Sequence, residues 1–247
     1  MRDKAGIKKA KFIKLLLSLV IFNSNPLHAE DYTRAVGTIY CDGGTRGTAS
    51  HISLPQNYHK NLSVILTAAH VLFDKHSGKP YKQCSYLPQN KRLGGIAFET
   101  LSAHSYIVES SDKIAQATSD IVFVKLKHRA YQPTLSLLRN DSNRTEKLLL
   151  LSISHNNNAN VESWECQQLY SKHLPQEQIL LHNCPSKAGD SGAPIIDSNS
   201  GNIVAIHGGR LNLNSDNKPS KSHIWINQAR RTDSSMLNTL EEFLRQP

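Results

Sequence analysis

The chain has 247 residues and a formal net charge of +9, a length that holds one large all-β domain or two small barrels sharing an interface but no third domain. Much of that charge is concentrated at the start, where Arg2, Lys4, Lys8, Lys9, Lys11 and Lys14 stand against Asp3 alone, and the remainder is only modestly basic. No dense Lys/Arg stripe with interleaved aromatics follows, so nucleic-acid binding has little support.

Taken in order, the basic start is followed by an apolar run from Leu15 to Phe22 and by Leu27-His28-Ala29. This is the layout of a secretory signal over residues 1–29, with a mature chain from Glu30 and a secreted or periplasmic destination. The apolar run is well short of the ~20 residues that span a bilayer, so no stable membrane insertion is expected.

Beyond it, short alternating or apolar runs are separated by Gly, Asn, Ser and Pro, which predicts strands closed by turns. The predicted strands are Ala35 to Cys41, Thr48 to Ser53, Ser63 to Thr67, Ile96 to Thr100, Asp120 to Leu126, Lys147 to Ile153, Val161 to Leu169, Gln178 to His182, Ala193 to Ile196, Ile203 to Ile206 and His223 to Ile226. Their number fits two antiparallel six-stranded β-barrels better than one sandwich, an all-β fold class. Arg139 to Arg144 reads as the linker between a barrel over about 33–138 and another over about 147–228. Asp74 to Pro80, His155 to Asn160 and Asn212 to Ser222 read as surface loops. Met236, Leu237, Leu240, Phe243 and Leu244 recur at helical spacing behind Asp233 or Ser234. They predict a C-terminal α-helix over about 234–245, packed on the second barrel.

Three segments carry chemistry. Ala188-Gly189-Asp190-Ser191-Gly192-Ala193-Pro194 sets a serine between glycines, where its hydroxyl stays open beside backbone N–H donors. Thr67-Ala68-Ala69-His70 and Ser119-Asp120-Ile121-Val122 lie upstream. Together they supply a nucleophile (Ser191), a general base (His70) and a carboxylate to orient it (Asp120). Taken singly, they could be a tight turn, a core histidine and a strand-start residue. The order His, Asp, Ser excludes an α/β-hydrolase, whose partners follow the serine and whose G-x-S-x-G elbow Ala193 breaks.

In that order the three segments resemble the catalytic motifs of the chymotrypsin/trypsin-like serine endopeptidases, over nearly the whole chain after residue 33. The resemblance implies two barrels with the site between them, a domain over 30–247, an oxyanion hole from the Gly189 and Ser191 N–H groups, no metal and no organic cofactor. It also implies protein or peptide substrates and a monomer. No room is left after Ser191 for a PDZ-type module.

Cleavage after Lys or Arg is not expected, because Pro185 lies where trypsin-like members place a pocket aspartate. Ile203-Val204-Ala205-Ile206-His207-Gly208-Gly209 is similar to the substrate-binding strand of bacterial glutamyl endopeptidases. On that resemblance His207 and Ser186 receive an acidic side chain, and Gly209 pairs with the substrate backbone; alternatively His207 merely lines an open pocket. Gly208 departs from the family where an aromatic is common. Asp190 raises the question of activation by a freed terminus, which cleavage after Arg34 would create.

The 4 cysteines of an exported chain read as two disulfides, and of three connectivities the favoured one joins Cys41 with Cys84 and Cys166 with Cys184, each within one half. Val71 replaces the cysteine that many members carry after the histidine. Two other functions remain open: a catalytically silent binding protein on the same scaffold, and an esterase using the same triad.

Overall fold

The computed structural model describes residues 32–58, 61–89, 94–140, 147–153, 160–172, 174–212 and 225–246. The predicted signal segment, linker residues 141–144, loop residues 155–159 and 213–222, and the first two residues of the His223 to Ile226 strand lie outside them.

The first half is a closed antiparallel barrel of β1 (Val36–Cys41), β2 (Gly44–His51), β3 (Val64–Thr67), β4 (Cys84–Pro88), β5 (Ile96–Leu101) and β6 (Val122–Leu126), in the order β1-β2-β3-β6-β5-β4. β3 and β6 are buried at every position. Covered on both faces, they read as nearly continuous apolar runs, interrupted by Thr67 and Lys125, instead of alternating ones. Cys41 and Cys84 face each other in the β1–β4 register and form a disulfide. Closing a loop of 43 residues stabilises by about 4 kcal/mol in the chain-entropy picture.

The second half holds β7 (Leu148–Ile153), β8 (Val161–Cys166), β9 (Gln168–Leu169), β10 (Ile179–His182), β11 (Pro194–Asp197), β12 (Ile203–Asn212) and β13 (Trp225–Arg231), in the order β8-β7-β11-β12-β13-β10-β9. Only Gln167 separates β8 from β9, so these end pieces are one bent strand. One part pairs with β7 and the other with β10, which closes a second six-strand ring. The Cys166–Cys184 disulfide staples that corner.

Three differences from the sequence reading have local causes. β4 was not predicted: it is short, ends in proline and is held by β1 and its disulfide. β12 runs on through Asn212 because a bulge between His207 and Gly209 absorbs the glycines that read as a turn. β13 continues through the polar Asn227, Gln228, Arg230 and Arg231, of which Gln228, Arg230 and Arg231 are buried.

A short helix α1 (Lys113–Thr118) precedes β6, and α2 (Ser234–Arg245) ends the chain. Asp233 caps α2 by accepting from Met236 N at 2.8 Å. Its buried face joins the core cluster that holds the first barrel. Lys125 of β6 donates to Gln246 O at 2.7 Å and lies over the Phe243 ring. The helix thus contacts the first barrel, not the second alone as its position in the chain suggests.

Candidate active site

The chain leaves β3 through Ala68 into a 3-10 turn at Ala69–Leu72, which carries His70. α1, capped by Asp112 accepting from Ile114 N and Ala115 N, delivers Asp120 to the start of β6. Asp120 grips His70 twice: Oδ1 accepts the His70 main-chain N–H at 2.8 Å and Oδ2 meets Nδ1 at 2.7 Å. That places the ring proton on Nδ1 and leaves Nε2 as an acceptor. Burial lowers the His70 pKa, but the Asp120 charge and hydrogen bond oppose it and the net direction is upward.

Ser191 arrives from the other half. Its carbonyl accepts from Thr48 N at 2.8 Å, Thr48 Oγ1 donates to Gly189 O at 2.9 Å, and Gly192 N donates to His207 O at 2.8 Å. A Cβ on Gly192 would sit 2.1 Å from Thr48 O and 2.2 Å from Thr67 Oγ1, and its φ is +84°. Only glycine lets the loop lie against the strand end that leads to His70. Among the described residues the N–H groups of Gly189 and Ser191 donate to no protein acceptor. The ring hydrogen bond of His70 runs to Asp120 and, among the described residues, none joins the ring to Ser191 Oγ; such links tighten when substrate binds.

Val71 packs on Gly47. A Cβ at Gly47 would lie 2.7 Å from Val71 Cγ2 and 2.6 Å from Ser191 O, so the valine fills the space over a glycine that admits no side chain. Asp190 is buried, with Oδ2 accepting from Lys187 N at 2.7 Å and Oδ1 unpartnered. Ala35, the terminus that cleavage after Arg34 would free, is wholly buried at the head of β1.

The substrate-binding candidates sit together at the mouth of the second barrel. Ser186 Oγ donates to Asn227 Oδ1 at 3.0 Å, and Asn227 Nδ2 donates to Cys184 O at 2.7 Å. His207 is 2% exposed. Its Nδ1 meets His182 Nε2 at 3.1 Å, while His182 Nδ1 accepts from Cys184 N at 3.2 Å. The backbone donor therefore places the His182 proton on Nε2 and the His207 proton on its own Nε2. Burial pushes His182 down to about 3 against the opposing Gln228 carbonyl. Burial, then the charges of His182, His70 and Arg210, hold His207 well below its ordinary value.

The Gln228 amide lies over Gly208: a Cβ there would be 2.3 Å from Gln228 Nε2. Gly209 has φ +125°. β11 pairs with β12 only up to Ile206, so among the described residues no strand pairs with that edge of β12 at Gly208 and Gly209. That edge borders a cleft of about 340 Å³ lined by His70, Tyr106, Asp120, Arg210, Trp225 and Gln228 among others.

His182, Arg210 and Asn227 were missed by sequence reasoning. They meet across neighbouring strands, and the one signal was a cation directly after Gly208-Gly209. Among the described residues, the one His/Cys/Asp/Glu group compact enough for a metal is Cys166, His182 and Cys184. The disulfide engages both of its sulfurs, so the set does not suit a metal ion. No described helix is long and apolar enough to cross a membrane.

A family model described as a trypsin-like peptidase domain matches residues 51–206. Among solved structures, a Glu endopeptidase in complex with MPD superposes with a TM-score of 0.63 at 14% identity, covering 87% of this chain and 92% of that one. The protease Anisep from Arthrobacter nicotinovorans gives 0.61 at 13%, covering 86% and 96%. A thermostable serine protease, AL20, from an extremophilic microorganism gives 0.62 at 12%, covering 87% and 99%. At these identities the likeness is one of fold. No curated protein matches the sequence.

Proposed function

The chain belongs to the trypsin-like peptidase family and is a serine endopeptidase, and from that premise we propose that it works through Ser191, His70 and Asp120. The double grip of Asp120 on His70 is the observation that carries this reading. It fixes an imidazole whose Nε2 accepts a proton, beside a turn that presents Ser191 between two glycines.

Ser191 Oγ attacks the scissile carbonyl carbon as His70 Nε2 takes its proton. The carbonyl π electrons move to oxygen, where the free N–H groups of Gly189 and Ser191 receive them, a stabilisation of roughly 3 kcal/mol per donor. Collapse breaks the C–N bond, and His70 returns the proton to the leaving amine. Water, deprotonated by the same nitrogen, then cleaves the acyl-enzyme. No step asks for a metal or organic cofactor.

The substrate is a protein or peptide with Glu or Asp before the scissile bond. Ser186 and the His207 Nε2–H would face the carboxylate, and the open edge at Gly209 would pair with the substrate backbone. The likeness of fold to a Glu endopeptidase supports this preference. Two disulfides and the basic-apolar-small leader over 1–29 support action outside the cytoplasm, by a mature domain over 30–247.

Mapping new termini in a denatured protein mixture by mass spectrometry, with the enzyme and with Ser191→Ala, tests this reading. Serine-dependent cuts after Glu and Asp are expected. Serine-dependent cuts spread over other residues would discard the acidic preference and keep the peptidase.

A further inference from the structure

We infer that Arg210 supplies the positive charge that receives the acidic substrate side chain. The inference rests on the acid-preferring reading above and moves its charge from a histidine to an arginine.

Arg210 lies opposite Asn227 in the β12–β13 pairing. Two donors converge on the Asn227 Oδ1 atom: Ser186 Oγ at 3.0 Å and Arg210 Nε at 3.3 Å. Arg210 Nη2 reaches the Ser186 carbonyl at 3.5 Å. A hydroxyl and a guanidinium thus aim at a single neutral amide oxygen. Both arginine contacts are long beside the ~2.7–2.9 Å of an ionic N–H···O bond. A carboxylate would be the better acceptor for both donors, and would give the guanidinium the planar, two-oxygen partner that its fork matches.

Nothing already neutralises that charge: among the described residues no carboxylate lies within ion-pair reach of Arg210. Arg210 is exposed and lines the same cleft as His70, so its charge stands on the wall of the cleft that the base borders. Gly209, immediately before it, puts no side chain in the way.

His207 is less suited to carry the charge. It is buried and tied through Nδ1 to His182. The charged and titratable groups around it oppose a second cation: His182 on β10, His70 on the turn after β3, and Arg210 on its own strand. Lys113 of α1 and Asp120 also line the cleft, but Asp120 is committed to His70. Lys187 pairs with Glu162 at 2.7 Å. His207 then offers a neutral N–H donor, and Arg210 the charge.

The test compares kcat/KM for peptide pairs that differ only in Glu or Gln before the scissile bond, at about pH 6 and about pH 9. The enzymes are the unchanged protein, Arg210→Ala, Arg210→Lys and Arg210→Glu. Because arginine stays charged across this range, the Glu/Gln ratio should be high at both values. It should fall roughly fivefold in Arg210→Ala, the upper end expected for an exposed ion pair. Arg210→Lys should keep part of the ratio, and Arg210→Glu should drop it below one. A ratio that fades between the two pH values and is untouched by Arg210→Ala would put the charge on His207 and overturn the proposal, leaving the acidic preference in place. A ratio near one in the unchanged enzyme at both pH values would remove the preference and the proposal together.

Discussion

His70 is held by the same carboxylate at its main chain and at its ring, so changing that carboxylate has two separable effects. In Asp120→Asn the amide NH2 can face Nδ1, which turns the imidazole to the wrong tautomer. A loss of about 10⁴-fold in kcat/KM is expected, the size seen for this change in the Ser-His-Asp template. The second effect is on pH. In the proposed mechanism the neutral imidazole is the working form, and Asp120 raises the His70 pKa above its ordinary 6.5. Activity should therefore fall on the acid side through a limb centred above 6.5, and in Asp120→Asn the residual activity should persist to lower pH because burial alone then acts on the ring. Pre-steady-state or kcat/KM profiles against pH check both. At this scale the three proposed catalytic residues stood out because each sits in a run of local neighbours with its own signature. His207 and Ser186 were named from the resemblance of their strand and loop, but their partners His182, Arg210 and Asn227 were not: these are distant in sequence and adjacent only through the β10–β13 and β12–β13 registers.

The loop from Pro185 to Ala193 keeps its shape through contacts with a strand of the other barrel, and Gly192 is where they are tightest. Gly192→Ala must move Thr48 O or the Thr67 hydroxyl by about an ångström and hold alanine at a positive φ. Such overpacking with backbone strain costs on the order of 3 kcal/mol. Denaturant unfolding should show a clearly lowered midpoint, together with lost turnover, since the displaced loop carries Ser191. An unchanged midpoint would mean that the loop is looser than these contacts imply. Apolar strands such as β3, β6 and β7 stood out in the sequence because burial writes itself as runs dominated by Val, Ile, Leu and Phe. β4 and α1 did not, because one depends on a disulfide and the other is a six-residue helix fixed by its cap. Glycine misled the reading of β12: what looked like a stop is a bulge that carries the strand on to the cleft.

Across the whole molecule, the candidate site belongs to neither half. His70 and Asp120 come from the first barrel and Ser191 from the second, joined by the Thr48 bonds to Ser191 O and Gly189 O. Each disulfide closes within its own half, so noncovalent contacts keep the site assembled. The two-barrel plan was readable from strand count and from the position of the three motifs. The side on which α2 packs was not, because an amphipathic stripe records that a face is covered and not by what. A hydroxyl that is nucleophilic only when both halves meet should react with a fluorophosphonate in the folded protein alone. The most direct measurement is peptide mass mapping after such labelling: one adduct, on Ser191, is expected in the native protein, with none in His70→Ala or after unfolding. A native protein that takes up no label, or takes it up on another residue, would contradict the assignment of Ser191 as the nucleophile.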